Sequence, residues 1–121
     1  MLSLSPPVRV FLATQFTDMR RSFDGLCALV QGQLNQDPFS GHLFVFINRR
    51  RDRVKLLYWC GDGFAIWYRR LEKGTFQLPS AGKDEVRLEM RASDLSLILD
   101  GIDLTSVRRR PRYERAAAGQ P

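Results

Sequence analysis

The stretch HLFVFINRRRDRVKLLYWCGDGFAIWYRR, residues 42–70, decides how this chain folds. It holds three apolar segments of strand length, 42–48, 54–60 and 64–70, separated by two short polar connections. The first connection is an arginine run; the second is Gly61-Asp62-Gly63, whose Asp-Gly pair accepts positive φ cheaply. Connections this short join antiparallel neighbours, so the three segments read as a β-meander. Alternation sets Val54, Leu56, Tyr58 and Cys60 on one face of the middle strand and Lys55, Leu57 and Trp59 on the other. In the third strand it separates Phe64, Ile66 and Tyr68 from Ala65, Trp67 and Arg69. Both faces are apolar, as in a strand covered on each side or a sheet face used in association; the interleaved arginines and aromatics also admit a base-stacking platform.

Before the meander, Pro6-Pro7 excludes a regular helix and residues 8–13 alternate as a short strand. Phe23, Leu26, Cys27, Val30 and Leu34 recur every three or four positions and predict a helix over 22–34, with Asp18 and Asp24 suited to helix starts. Asp37-Pro38-Phe39-Ser40-Gly41 is a turn-forming run. After the meander, Glu72-Lys73-Gly74 offers a turn, 75–78 a fourth meander strand, 79–84 a loop and 85–90 another strand. Ser93 is placed to cap a last helix carrying Leu95, Ile98 and Leu99 and stopping near Gly101. The expected fold class is α+β: a small single domain over residues 1–106, built as an antiparallel β-meander of about four to five strands with two helices. A disordered basic C-terminal tail over 107–121 follows, because it has too few large apolar groups to fold alone.

A chain of 121 residues with an apolar fraction of 44% suits one core and excludes a large multidomain catalyst. No apolar run approaches the roughly 20 residues of a membrane-spanning helix, and no charged-then-apolar leader opens the sequence, so it reads as cytoplasmic with no membrane association. Cys27 and Cys60 lie in apolar surroundings and read as reduced core residues.

The net charge of +6 is segregated. Residues 49–55 set Arg49, Arg50, Arg51, Arg53 and Lys55 against Asp52, a local +4, and residues 107–121 set five arginines against Glu114, again +4, leaving −2 elsewhere. Sixteen of the nineteen cationic residues are arginine, whose planar fork grips phosphate oxygens in pairs. A turn between two strands would project the first group as a cationic finger, supplemented by Arg108, Arg109, Arg110 and Arg112 of the tail, and DNA is the expected partner. A two-stranded ribbon fits the major groove, but phosphate contact demands less. The blander readings are a GC-rich genome's arginine usage and a solubilising tip that blocks edge pairing.

Catalytic readings fare worse. His42 is the single histidine, and the two cysteines lack the paired spacing of a zinc site. Asp18, Asp24, Asp37 and Asp62 could converge with His42 on magnesium, but helix starts and turns explain each of them more simply. No catalytic residue, metal site or cofactor is therefore expected.

At Thr17-Asp18-Met19-Arg20, Asp24-Gly25-Leu26, Asp37-Pro38-Phe39-Ser40-Gly41-His42-Leu43-Phe44-Val45-Phe46, Asn48-Arg49-Arg50, Asp62-Gly63-Phe64 and Trp67-Tyr68-Arg69-Arg70-Leu71-Glu72-Lys73-Gly74, the chain closely resembles TnpB of IS66-type insertion sequences. That family is the small accessory protein encoded by the second reading frame of these bacterial elements, and the resemblance spans residues 8–102. Arg51 stands where the family usually has glycine, which adds charge and suggests a different turn geometry; Cys60 stands where an aspartate is common. The resemblance implies a non-catalytic accessory protein for DNA transposition, partnered with a separate transposase that supplies the catalytic acids and with the element's other accessory proteins. It does not extend to the much longer RNA-guided nucleases that share the TnpB label. Residues and resemblance together predict binding to DNA, or to a transposase–DNA complex, through the arginine hairpin. The alternative is an adapter that docks on the transposase, or self-associates as a homo-oligomer, through the aromatic face around Trp59 and Trp67.

Overall fold

The structure is a computed structural model that describes residues 8–100. In chain order it contains β1 (Val10–Ala13), α1 (Phe23–Gly32), a 3-10 turn (Pro38–Ser40), β2 (Leu43–Ile47), β3 (Arg53–Trp59), β4 (Phe64–Arg70), β5 (Arg87–Met90) and α2 (Ala92–Asp100). The strands form one sheet in the order β4-β3-β2-β1-β5. β2, β3 and β4 make the expected antiparallel meander, with Phe44 opposite Leu57 and Leu56 opposite Trp67.

The sheet as a whole is mixed, which corrects the purely antiparallel expectation. β1 runs parallel to β2, with Val10 opposite Leu43, and β5 pairs antiparallel on the far side of β1, with Val10 opposite Met90. The reason lies in the connection. Parallel neighbours need a crossover, and α1 supplies it. Every residue of β1 and β2 is buried, as strands in the middle of a covered sheet must be.

Both faces of the sheet carry a core, which accounts for the apolar character of both faces of β3. Val10, Leu12, Val45, Val54 and Leu56 pack with Phe76 and with Leu95, Ile98 and Leu99 of α2. On the other face Phe11, Phe44, Phe46 and Leu57 pack with Leu26, Val30 and Leu34 from α1 and the turn after it. Trp67 packs against the α2-side core, and the Arg69 guanidinium lies 4.8 Å over its ring.

Helix α1 ends before Leu34 because Asn35 turns left-handed at φ +53° and the Gln36 N–H donates to the Val30 carbonyl at 3.0 Å. Asp37 caps the 3-10 turn by accepting from the Phe39 N–H at 2.9 Å, and Gly41 at φ +85° ends it. Helix α2 starts at Ala92, so Ser93 lies inside the first turn and is not its cap; Asp94 accepts from the Arg91 N–H at 3.3 Å instead. Gly101 and the tail lie outside the described residues. In the β3–β4 turn the positive φ falls on Gly61 at +97°, not on the Asp-Gly pair after it.

The expected strand at 75–78 is not one. Gly74, at φ +79°, turns the chain back over the sheet; the Phe76 N–H donates to the Arg51 carbonyl and the Leu71 N–H to the Asp52 carbonyl, both at 2.7 Å. Phe76 is then fully buried. The apolar pattern at 75–78 therefore serves packing and not an edge strand.

The β2–β3 turn is organised by Asn48. Its Oδ1 accepts from the Asp52 and Arg53 N–H groups at 3.1 and 3.0 Å, and its Nδ2 donates to the Asp52 carboxylate at 2.7 Å. Arg51 N–H donates to the Asn48 carbonyl at 3.0 Å, and Arg51 sits at φ +61°, the conformation a glycine would adopt without strain. Left-handed backbone costs an ordinary residue about 1–2 kcal/mol, whereas an exposed guanidinium–ring contact returns only about 0.5–1 kcal/mol. Arg51→Gly is therefore expected to raise stability by about 0.5–1 kcal/mol. Arg51→Ala, which keeps the strain and loses the ring contact, should lower it by a similar amount; urea unfolding of both variants measures the two signs.

Candidate nucleic-acid interface

The side chains of Arg49, Arg50 and Arg51 stand exposed at the tip of the β2–β3 hairpin. Facing them is the strap of residues 14–22 that leads from β1 to α1. It is tied to the end of β2 by the Thr17 N–H, which donates to the Ile47 carbonyl at 2.9 Å, and Thr17 itself is buried. The strap leaves the Phe16 ring 40% exposed, with the Arg49 and Arg51 guanidinium carbons 5.5 and 5.8 Å from its centroid. Beyond Phe16, the Arg20 guanidinium meets the Asp18 carboxylate at 2.6 Å.

Strap and hairpin enclose an open cleft of about 590 Å³, to which the strap contributes Phe16, Asp18 and Arg20 and the hairpin Arg49, Arg50, Asp52 and Arg53. Four arginines against two aspartates leave it a net +2, and each carboxylate has a partner: Asp18 in Arg20, Asp52 in Asn48. Hydrogen bonds from the Arg20 side chain and then from its backbone N–H hold the Asp18 pKa down at about 2.

Lys55 does not belong to this exposed set, although its position beside the finger suggested that it would. Its side chain is buried within the sheet, where the ammonium donates to the Met19 carbonyl at 2.8 Å and the Arg21 carbonyl at 2.7 Å and lies 4.8 Å from the Tyr68 ring centroid. Strand alternation explains the difference: position 55 points to the α1 face, under the strap, while the tip residues point to solvent. Arg53 is half-buried and donates to the Tyr68 hydroxyl at 3.4 Å. Arg108, Arg109, Arg110 and Arg112 lie outside the described residues.

At the opposite end of β3, Phe39, Trp59 and Phe64 form a three-ring cluster with centroids 5.0 Å apart, and Phe39 is 54% exposed. Cys60 beside it is exposed, not a core residue; Cys27 is half-buried, and desolvation pushes its thiol pKa up. His42 Nδ1 accepts from the Arg9 N–H at 3.0 Å, and its ring stands edge-on to Phe11. Among the described residues no three His, Cys, Asp or Glu side chains gather as metal ligands. Nor is any of the described helices long and apolar enough to cross a membrane.

Phe16 and Arg20 join the site only through the fold. In the sequence Thr17-Asp18-Met19-Arg20 reads as a possible helix start, and Phe16 before it carries no signal of its own. It takes the parallel β1–β2 pairing to bring the end of β1 beside the end of β2, where the arginine turn begins.

The fold and site thus define a small mixed-sheet domain with a cationic hairpin at one end. The chain belongs to the IS66 Orf2-like protein family, whose profile matches residues 8–109, and is thereby associated with the transposition of insertion sequences. It is 40% identical over 111 residues to the uncharacterized protein y4jC of Sinorhizobium fredii, covering 92% of this chain and 93% of that protein. It is 38% identical over 103 residues to the uncharacterized protein y4hO of the same organism, covering 85% and 88%. No solved structure matches it.

Two outcomes follow from the strap. The Asp18–Arg20 contribution to stability is in place above the ordinary carboxylate value of 3.8 and disappears as pH falls through about 2. Carboxyl-carbon NMR should find the Asp18 midpoint near 2, and Arg20→Gln should return it toward 3.8. Lys55→Met leaves the Met19 and Arg21 carbonyls without their donor, and urea unfolding should show a loss of about 1–3 kcal/mol.

Proposed function

We propose that this protein is a non-catalytic accessory factor that assists a separate transposase by binding DNA through the β2–β3 hairpin. One observation carries the reading. Arg49, Arg50 and Arg51 crowd one exposed turn, and no carboxylate among the described residues forms an ion pair with them. Charges gathered for solubility alone would gain from dispersal or from acidic neighbours; unpaired guanidinium groups at a stiff tip match a row of phosphates. Arg20 extends the same surface from the strap, and Arg53 borders the cleft. The tail arginines Arg108, Arg109, Arg110 and Arg112 add cationic charge to the chain. Phosphate contact positions the protein without reading bases, so the hairpin would serve to hold or bridge an element end while the transposase performs the chemistry.

Fluorescence anisotropy on duplex DNA tests this directly. With about four phosphates neutralised, log Kd against log salt should have a slope near 4 in magnitude. Arg49→Gln with Arg50→Gln should reduce that slope by about 2 and weaken binding to all sequences alike. Equal affinity and slope for wild type and double variant would remove the hairpin from the interface.

A second reading is favoured by the ring cluster of Phe39, Trp59 and Phe64, whose exposed Phe39 edge suits protein contact. Here the protein is an adapter that docks on the transposase. Phe39→Ala should then abolish co-purification with the element's transposase and leave DNA affinity unchanged, whereas undiminished co-purification would rule this docking site out.

A further inference from the structure

We infer that the cleft between strap and hairpin seats an unpaired nucleotide, with its base stacked on Phe16 and its phosphates on Arg49 and Arg50. The inference rests on the DNA-binding reading above and specifies the form of DNA. Phe16 is its centre. Phe23 and Phe39 are also exposed, at 45% and 54%, but Phe16, at 40%, is the one of the three that lies beside the most cationic turn of the described chain with guanidinium groups over its ring. Its ring already serves as a platform for planar cations, since two guanidinium groups lie within 5.8 Å of its centroid. A nucleobase is the other planar group that stacks well on such a ring, and stacking of this kind tolerates any base. When a base takes one face, the guanidinium it displaces is free to turn to the adjoining phosphate.

The surroundings suit that exchange. The cleft of about 590 Å³ falls within the range of small-ligand sites. Its two carboxylates are engaged by Arg20 and Asn48, which limits their repulsion of a phosphate. Inside a duplex neighbouring base pairs cover both faces of every base, and a blunt end leaves open only one face of its terminal pair, whereas an unpaired nucleotide can turn its base fully onto Phe16. The preferred ligand is therefore DNA with unpaired nucleotides, such as a single-stranded end next to a duplex.

Anisotropy with labelled blunt duplex and with the same duplex carrying an overhang of about six nucleotides tests the inference. Wild type should bind the tailed DNA about tenfold tighter than the blunt DNA. Phe16→Ala and Phe16→Leu should erase that difference, and Phe16→Trp should keep the preference. Equal wild-type affinity for the two DNAs would overturn the nucleotide seat and leave the hairpin reading standing. Loss of affinity for both DNAs to the same extent in Phe16→Ala would also overturn it, assigning the ring to support of Arg49 and Arg51. Failure of wild type to bind either DNA at low salt would remove both readings together.

Discussion

The ammonium of Lys55 is the point on which the arrangement of the site depends. A cation inside a sheet is tolerated only with strong acceptors, and here the acceptors are two carbonyls of the strap, those of Met19 and Arg21. The same pair of bonds replaces the water that the buried ammonium has lost and fastens an otherwise irregular segment across the end of the sheet. Thr17 adds a backbone bond to Ile47, so the strap is held from two strands. Phe16 and Arg20 owe their place beside the arginine turn to this anchoring, and the site is therefore assembled by a residue that does not line it.

The two ends of β3 have opposite chemistry. One end opens into the arginine turn and the other into the Phe39, Trp59 and Phe64 cluster, with a strand of seven residues, about 23 Å, between them. The middle of the sheet is covered on both faces by helices and by the segment carrying Phe76, so it offers no stacking platform. The arginine turn and the ring cluster lie at opposite rims. The two interfaces proposed above therefore would not compete for surface.

Much of the architecture was legible in residues 42–70. Period-two alternation and short polar connections placed β2, β3 and β4 within a residue of their observed ends, because hairpin strands are governed by local patterning. What local patterning cannot encode is which strand a distant segment joins. The parallel partnership of β1 with β2 depends on α1 crossing over the sheet, and the antiparallel return of β5 to the far side of β1 on the long segment after β4; nothing at 8–13 states either. Phe76 was misread for a related reason, since an apolar alternation over four residues looks the same whether it forms an edge or packs down onto a core. Within the site, the tip arginines were visible as a charge run, but Lys55 belonged to that run in sequence and not in space.

The arginine turn is held from behind. The amides of Leu71 and Phe76 bind the carbonyls of Asp52 and Arg51, and the Asn48 side chain closes the loop from within. Its backbone consequently reaches any partner already shaped, and association has only side-chain rotamers left to order, at about 0.5–1.5 kcal/mol for each long side chain immobilised. Preorganisation of this kind slows dissociation more than it hastens encounter. It suits the role proposed above, in which the hairpin holds DNA while a separate transposase works.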